Sequence, residues 1–126
     1  MNNRFLESID EGLRSTESAG VALVDIKAIT AEVNEALLAK SKGMVRASLE
    51  DDDDVHVITV ESDHDNIVFC RLSPSEADGY PVIVRSSRLS STMVCLDKES
   101  LERQIADLLK DSGFARDLRM LMNPTQ

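Results

Sequence analysis

Residues 43–73 read GMVRASLEDDDDVHVITVESDHDNIVFCRLS, and this stretch decides the fold. Apolar and polar residues alternate in VRASLE, which is the period of a half-buried β-strand. VHVITVE and NIVFCRLS are rich in the β-branched and aromatic residues that favour strands. The connections DDDD and SDHD are short, and parallel strands would need a crossover of a dozen or more residues. The stretch therefore predicts an antiparallel β-meander, with strands after Gly43 and over residues 55–61 and 66–73.

Two further strands are expected at 80–86 and 91–96, because SPSEADG and SSRLS are again turn-forming connections. The strands at 55–61 and 66–73 carry apolar residues at both odd and even positions, so neither face of the sheet reads as purely polar. We therefore expect cover on both faces, either from helices on both sides, from a second copy, or from a partner.

Helices are expected on both sides of the sheet in the chain. Apolar residues at helical spacing predict helices over 3–15 and 22–42, and again over 98–111 and 114–122. Asp97 has the position of an N-cap, and Ser112-Gly113 is expected to separate the last two helices. The pattern α-α-β-β-β-β-β-α-α predicts an α+β fold in a single domain, 1–126. Its parts are a helical 1–43, an antiparallel sheet over 44–97, and C-terminal helices over 98–123.

Negative charge is concentrated in residues 50–65. This segment holds eight of the 23 acidic residues and no Lys or Arg, whereas the rest of the chain is close to neutral. Because the net charge is −9, a nucleic-acid partner is disfavoured, since such binding needs basic groups to displace counterions. An anionic membrane surface is disfavoured for the same reason.

Composition favours a cytoplasmic protein. The N-terminal MNNRFLESIDEG lacks the apolar segment of a secretion signal, and no apolar run approaches the ~20 residues that span a bilayer. Cys70 and Cys95 lie within apolar runs, where a thiol behaves as a small buried hydrophobe rather than as half of a disulfide.

Catalytic and metal-binding motifs are weak or absent in the sequence. It contains no G-x-S-x-G elbow, no phosphate-binding glycine loop, and no EF-hand pattern around the acidic run. His56 and His64, the two histidines, do not show the paired spacing of a structural zinc site. We therefore expect no enzyme, no metal site and no cofactor.

The acidic segment carries the main functional hypothesis, which is a small non-catalytic domain that binds a basic protein. A bacterial inhibitor or immunity-type protein that neutralises a basic toxin, such as a nuclease, fits this size and charge. The expected partner-binding residues are Asp51, Asp52, Asp53, Asp54, Glu61, Asp63 and Asp65. We expect them to lie together on a single exposed rim of the molecule. The alternative is that the acidic run has no binding role and is a solvated loop that also deters edge pairing between sheets.

The second functional hypothesis is a homo-oligomeric structural or adaptor domain with no electrostatic target. In that case a homodimer would bury the second apolar face of the sheet. The serine-rich turn with Arg85 and Arg88, near Arg71, offers positive charge that could meet the acidic edge of a second copy.

Overall fold

The structure is a computed structural model that describes residues 4–9, 20–75 and 78–123. Within these residues the element order is α-α-β-β-β-β-β-α-α. The helices are α1 (4–9), α2 (Val21–Ser41), α3 (Lys98–Leu109) and α4 (Ser112–Met122). The strands are β1 (Arg46–Asp52), β2 (Val55–Glu61), β3 (Asn66–Ser75), β4 (Gly79–Arg85) and β5 (Met93–Cys95). This order confirms the predicted α+β fold. The rest of the helix expected over 3–15 lies outside the described residues.

The five strands form one sheet in the order β1-β2-β3-β4-β5, with every neighbouring pair antiparallel. Directly opposed residues in such pairs point to the same face of the sheet. One face carries the apolar pairs of the core. They are Ala47 with Val60, Ile58 with Cys70, Leu72 with Val84, and Val82 with Cys95. Buried residues of α2, α3 and α4 complete the same core cluster, so these three helices cover that face.

The opposite side of the sheet, which we call the open face, is not part of the core cluster. Val57 is 6% exposed and still lies outside that cluster. The open face is made of Arg46, Ser48, Glu50 and Asp52 of β1, Val57, Thr59 and Glu61 of β2, Asn66, Val68, Arg71 and Ser73 of β3, Ile83 and Arg85 of β4, and Val94 of β5.

A β-bulge explains why the sequence of β3 looked apolar on both faces. The register steps from Ile58 opposite Cys70 to Thr59 opposite Val68, so Phe69 is an extra residue in β3. Phe69 and Cys70 are consecutive and both fully buried in the core. Of the three kinds of cover expected for the second face, helices α2, α3 and α4 do not supply it, because all three pack on the core side.

Helix α2 leads directly into β1 through a small polar link. Ser41 Oγ donates a 2.6 Å hydrogen bond to the Leu37 carbonyl and accepts one of 2.8 Å from the Val45 backbone N–H. Lys42 and Gly43 both have positive φ, of 58° and 85°, which reverses the chain after the last helical turn. Asn34 Oδ1 accepts from the Ala47 N–H at 2.9 Å, which holds β1 against the helix.

Capping side chains define the C-terminal helices. Asp97 caps α3 by accepting a 2.8 Å bond from the Ser100 N–H, as the sequence predicted. The predicted start of α4 at residue 114 is wrong, because Ser112 and Gly113 form its first turn. Asp111 accepts from the Phe114 N–H at 3.0 Å and so starts the helix two residues earlier. A Cβ at Gly113 would lie 2.9 Å from this capping carboxylate, so the glycine makes room for the cap rather than ending a helix.

No helix in the described part of the chain has the length and apolar content needed to cross a lipid bilayer.

Candidate functional site

The β1–β2 hairpin ends in a two-residue turn that gathers consecutive carboxylates. Asp52 pairs with Val55, so only Asp53 and Asp54 lie in the turn itself. Asp53 has φ 55°, a left-handed conformation that Asp tolerates better than most residues. Asp51, Asp52, Asp53 and Asp54 are all exposed. We call these four residues the acidic tip.

The acidic tip is anchored by His56. Asp51 is the register partner of His56, and its Oδ1 lies 2.6 Å from Nδ1 of the imidazole. The His56 side chain is only 8% exposed, whereas that of Asp51 is 72% exposed. The other ring nitrogen, Nε2, lies 3.7 Å from Oδ1 of Asp78. A buried imidazole between two carboxylates therefore fixes the base of the tip while the acids stay in solvent.

Asp78 extends the acidic tip, and sequence reasoning missed it. It precedes β4, has φ 55°, and belongs to the connection SPSEADG that was predicted to turn the chain. Its position beside His56 depends on packing between residues far apart in the chain. The turn was recognisable from the sequence, but the contact between Asp78 and His56 was not.

The other predicted site residues lie at the far end of β2. Glu61 ends this strand, and Asp63 and Asp65 follow in the β2–β3 connection. Seven residues of extended strand separate the two groups by roughly 20 Å. The seven predicted acids therefore form two clusters, not the single rim expected from their closeness in sequence.

The second cluster is partly compensated by a basic side chain. Nε of Arg46 lies 3.4 Å from Oε1 of Glu61, and Nη1 lies 3.5 Å from Oδ1 of Asp63. Asp65 is engaged locally, because its Oδ1 accepts a 2.8 Å bond from the Asn66 N–H. The acidic tip has no such arginine among the described ion pairs, so it holds the denser uncompensated negative charge.

The open face carries charges of both signs in one row across the sheet. Glu50, Val57, Arg71 and Arg85 are successive register partners on β1 to β4. Two shallow grooves of about 450 and 380 Å³ lie on this face and share Val68 and Arg71 in their walls. The first groove also includes Glu50 and Asp52, and the second includes Arg85. Along this row the face is thus acidic at β1 and basic at β3 and β4.

The cysteines are placed as core residues. Both are free, and each is at most 3% exposed. Burial raises the pKa of the Cys70 thiol to about 12. Burial is also the main cause of the raised pKa of Cys95, while a hydrogen bond with the side chain of Ser100 acts in the opposite direction. Thiols with raised pKa values are poor nucleophiles near neutral pH.

Metal binding finds no support in the described residues, where no group of three or more His, Cys, Asp or Glu side chains is spaced to hold an ion. The acidic tip has carboxylate oxygens, which can bind metal ions, but its side chains are not grouped around a common point.

Comparison of this chain with protein families, with curated proteins and with solved structures finds no match.

Proposed function

We propose that this chain is a small, acidic, non-catalytic domain of the cytoplasm that binds a basic protein through the acidic tip. The observation that carries the proposal is the placement of four consecutive exposed carboxylates at the end of the β1–β2 hairpin. Their base is fixed by the 2.6 Å contact between Asp51 and the buried His56. Because the tip is held on a β-hairpin, binding need not order a loose loop first.

The electrostatics of the tip favour a cationic partner over other ligands. Four neighbouring carboxylates focus negative potential, and such a patch raises association rates with an oppositely charged protein by about 10 to 10³. The gain falls with added salt, because exposed charges are screened beyond a Debye length of about 8 Å at physiological ionic strength. Complementary charge thus predicts fast, salt-sensitive capture more than very high affinity.

A bacterial inhibitor or immunity-type protein is the biological role that fits these properties best. Such a protein would neutralise a basic toxin, such as a nuclease, by covering its nucleic-acid groove with carboxylates. The second cluster, Glu61, Asp63 and Asp65, takes a lesser part in this proposal, because Arg46 offsets part of its charge.

The test compares capture by matched charge variants. The tip variant replaces Asp51, Asp52, Asp53 and Asp54 with Asn, and the control replaces the exposed Glu32, Glu35, Glu102 and Asp107 with the corresponding amides. Both changes remove four negative charges, so only their location differs. Immobilised wild type and variants are incubated with host lysate at low salt, and the captured proteins are identified and assayed for nuclease activity.

The expected result is a basic protein that wild type and control both capture and inhibit, and that the tip variant captures several-fold more slowly. Equal capture by the tip variant at low salt would contradict the docking role, and so would a captured partner that is acidic.

The second candidate function is a homo-oligomeric structural or adaptor domain in which the acidic tip has no target. The exposed apolar side chains Val68 and Val94 on the open face favour it, since they are 44% and 58% exposed. Asp52 belongs both to the open face and to the acidic tip, whereas Asp53 and Asp54 lie in the turn itself, so variants of these two residues test docking separately from self-association.

A further inference from the structure

Arg71 and Arg85 form an unusual pair on the open face. They are direct register partners on β3 and β4, and both are exposed. Like charges placed directly opposite each other destabilise a sheet. Among the ion pairs of the described residues, neither arginine has a carboxylate within 4.0 Å. The pair therefore lacks an anion within its own surroundings, although the chain as a whole is strongly acidic.

The matching anion lies in the same row of the sheet. Glu50 stands on β1, separated from Arg71 by Val57 of β2. Read across the strands, the row is negative, apolar, positive, positive. A surface with this order is complementary to a second copy of itself that is rotated by 180°, because the acidic end of each row then meets the basic end of the other.

We infer that the open face binds the same face of a second copy of this chain, with Glu50 of each copy against Arg85 of the other. A two-fold axis parallel to the strands and between β2 and β3 produces this arrangement. It lays β1 over β4 and β2 over β3, and it keeps the row of Glu50 at the same height in both copies. Packed sheets keep their strands within about 30° of each other, so this geometry is an ordinary one.

The apolar residues of the face suit the centre of such an interface. Val57 lies within the row, and Val68 lines both grooves next to Arg71. Pairing of the two faces removes the exposed Val68 from water. It also places the carboxylate of Glu50 from each copy next to Arg85 of the other copy. A nucleic acid would also offer anions to the arginines, but Glu50 and Asp52 on the same face would repel its phosphates.

The size of the face limits the strength of the dimer. Four strands at a spacing of about 4.8 Å and a length of about 20 Å give a footprint of roughly 400 Å² per copy. Contacts burying less than about 1,200 Å² in total belong to the small, transient class of interfaces. The dimer is therefore expected at high protein concentration and low salt, and it dissociates on dilution.

Charge reversal provides the test, by sedimentation equilibrium of the full chain at low ionic strength. E50R places arginine against Arg85 in both contacts, and R85E places glutamate against Glu50, so each variant alone is expected to lose at least about tenfold in association constant. An equimolar mixture of E50R and R85E restores both contacts with opposite charges and should associate as a heterodimer. The double variant E50R/R85E should likewise recover the homodimer.

R103E is the matched control, because Arg103 is an exposed arginine on α3 in the helical layer. It should leave association unchanged. A variant that replaces only Asp53 and Asp54 of the acidic tip with Asn leaves the carboxylates of the open face unchanged and should still dimerise. Failure of the docking proposal and failure of this one are therefore distinguishable.

A wild type that stays monomeric at the highest concentration would overturn the inference, as would a mixture of folded E50R and R85E that does not associate. Inorganic phosphate is the probe for a small-anion role. If phosphate raises the melting temperature of wild type but not of R85E, and no dimer forms, the two arginines serve an anion and the inference is wrong.

Discussion

The phenol of Tyr80 donates a 2.7 Å hydrogen bond to Oδ2 of Asp25. The two residues belong to β4 and α2, so the bond joins the start of β4 to the long helix that covers the sheet. Burial is the main cause that raises the pKa of Tyr80, and the hydrogen bond and the negative charge of Asp25 raise it further. The side chain thus reports on the contact between helix and sheet.

Alkaline titration of Tyr80 tests this contact. The chain has one tyrosine and no tryptophan, so the ultraviolet absorbance of phenolate comes from this residue alone. We expect its titration midpoint in the folded protein to lie above the ordinary value of about 10. The pKa of Tyr80 is higher in the folded protein than in the unfolded chain. The contribution of its neutral phenol to stability is therefore fully present below pH ~10 and is lost as the pH rises through the folded pKa.

Two variants separate the causes of the shift. Asp25→Asn should lower the midpoint but leave it above that of the unfolded chain, since burial remains. Tyr80→Phe should lower the free energy of unfolding at neutral pH by about 1 kcal/mol, the usual value of one hydrogen bond. The free energy of unfolding of this variant should also fall less steeply at alkaline pH than that of wild type, because the variant has no phenol to ionise. A midpoint of wild type at the unfolded value would refute the contact.

Arg88 is predicted to stabilise the packing of α4. Its side chain is 10% exposed, forms an ion pair with Asp117, and lies 5.4 Å from the centre of the Phe114 ring. Phe114 in turn packs edge-on against Phe69 of the β-bulge, with ring centres 4.9 Å apart. Replacement of Arg88 by Ala should lower the free energy of unfolding by about 2 kcal/mol, as expected for a shielded charge pair with a cation–π contact.

The control for this prediction is Arg103→Ala. Arg103 also forms an ion pair, with Glu99 at 3.1 Å, but both side chains are at least 70% exposed. Such a pair contributes only about 0.2–0.5 kcal/mol. Arg88→Lys should fall between the two, because lysine keeps the charge but loses the planar contact with the ring. Urea titration gives all three values, and equal effects of the Ala variants would show that burial of Arg88 is unimportant.

The thiols are predicted to be unreactive in the native state. With a pKa of about 12, the Cys70 thiol is ionised in roughly one molecule in ten thousand at pH 8. An alkylating reagent should therefore modify neither cysteine at an appreciable rate until the protein unfolds. Two thiols should then react, because both are free. Mass spectrometry along a urea series measures this, and rapid native labelling of Cys70 would contradict its burial.

Local signals in the sequence were sufficient for most of the fold. Strand alternation in β1 and the N-cap at Asp97 depend on neighbours within a few residues, and both were predicted. The start of α4 was predicted wrongly, because Gly113 was interpreted as a helix break and the capping role of Asp111 was missed. In the structure Gly113 lies inside the first turn of α4, where an added Cβ would come within 2.9 Å of the Asp111 carboxylate.

The candidate site could be predicted less completely, because its geometry depends on register. One extra residue at Phe69 decides which face each side chain of β3 takes, and no local pattern announces it. Closeness in sequence suggested one acidic rim, whereas the length of β2 separates Asp54 from Asp63. The contact of His56 with Asp78 and the row that joins Glu50 to Arg85 arise only after the strands are paired.

The turn of the acidic tip provides a final prediction, with a control in the adjacent residue. Asp53 has φ 55°, whereas Asp54 is not among the residues with positive φ. Asp53→Ala and Asp54→Ala remove the same charge from nearly the same place, so electrostatics affects them alike. Alanine in the left-handed region costs about 1 kcal/mol, and we expect D53A to be less stable than D54A by about that amount.

Glycine at position 53 should reverse the effect, because it adopts positive φ without a steric penalty. D53G is therefore expected to be more stable than D53A, and Asp53→Asn should be well tolerated, since Asn is common in this conformation. Thermal and urea unfolding of the four variants measure the differences. Equal stabilities for D53A and D54A would mean that the turn relaxes when its side chain is removed. In that case the tip would not be the rigid element on which the docking proposal depends.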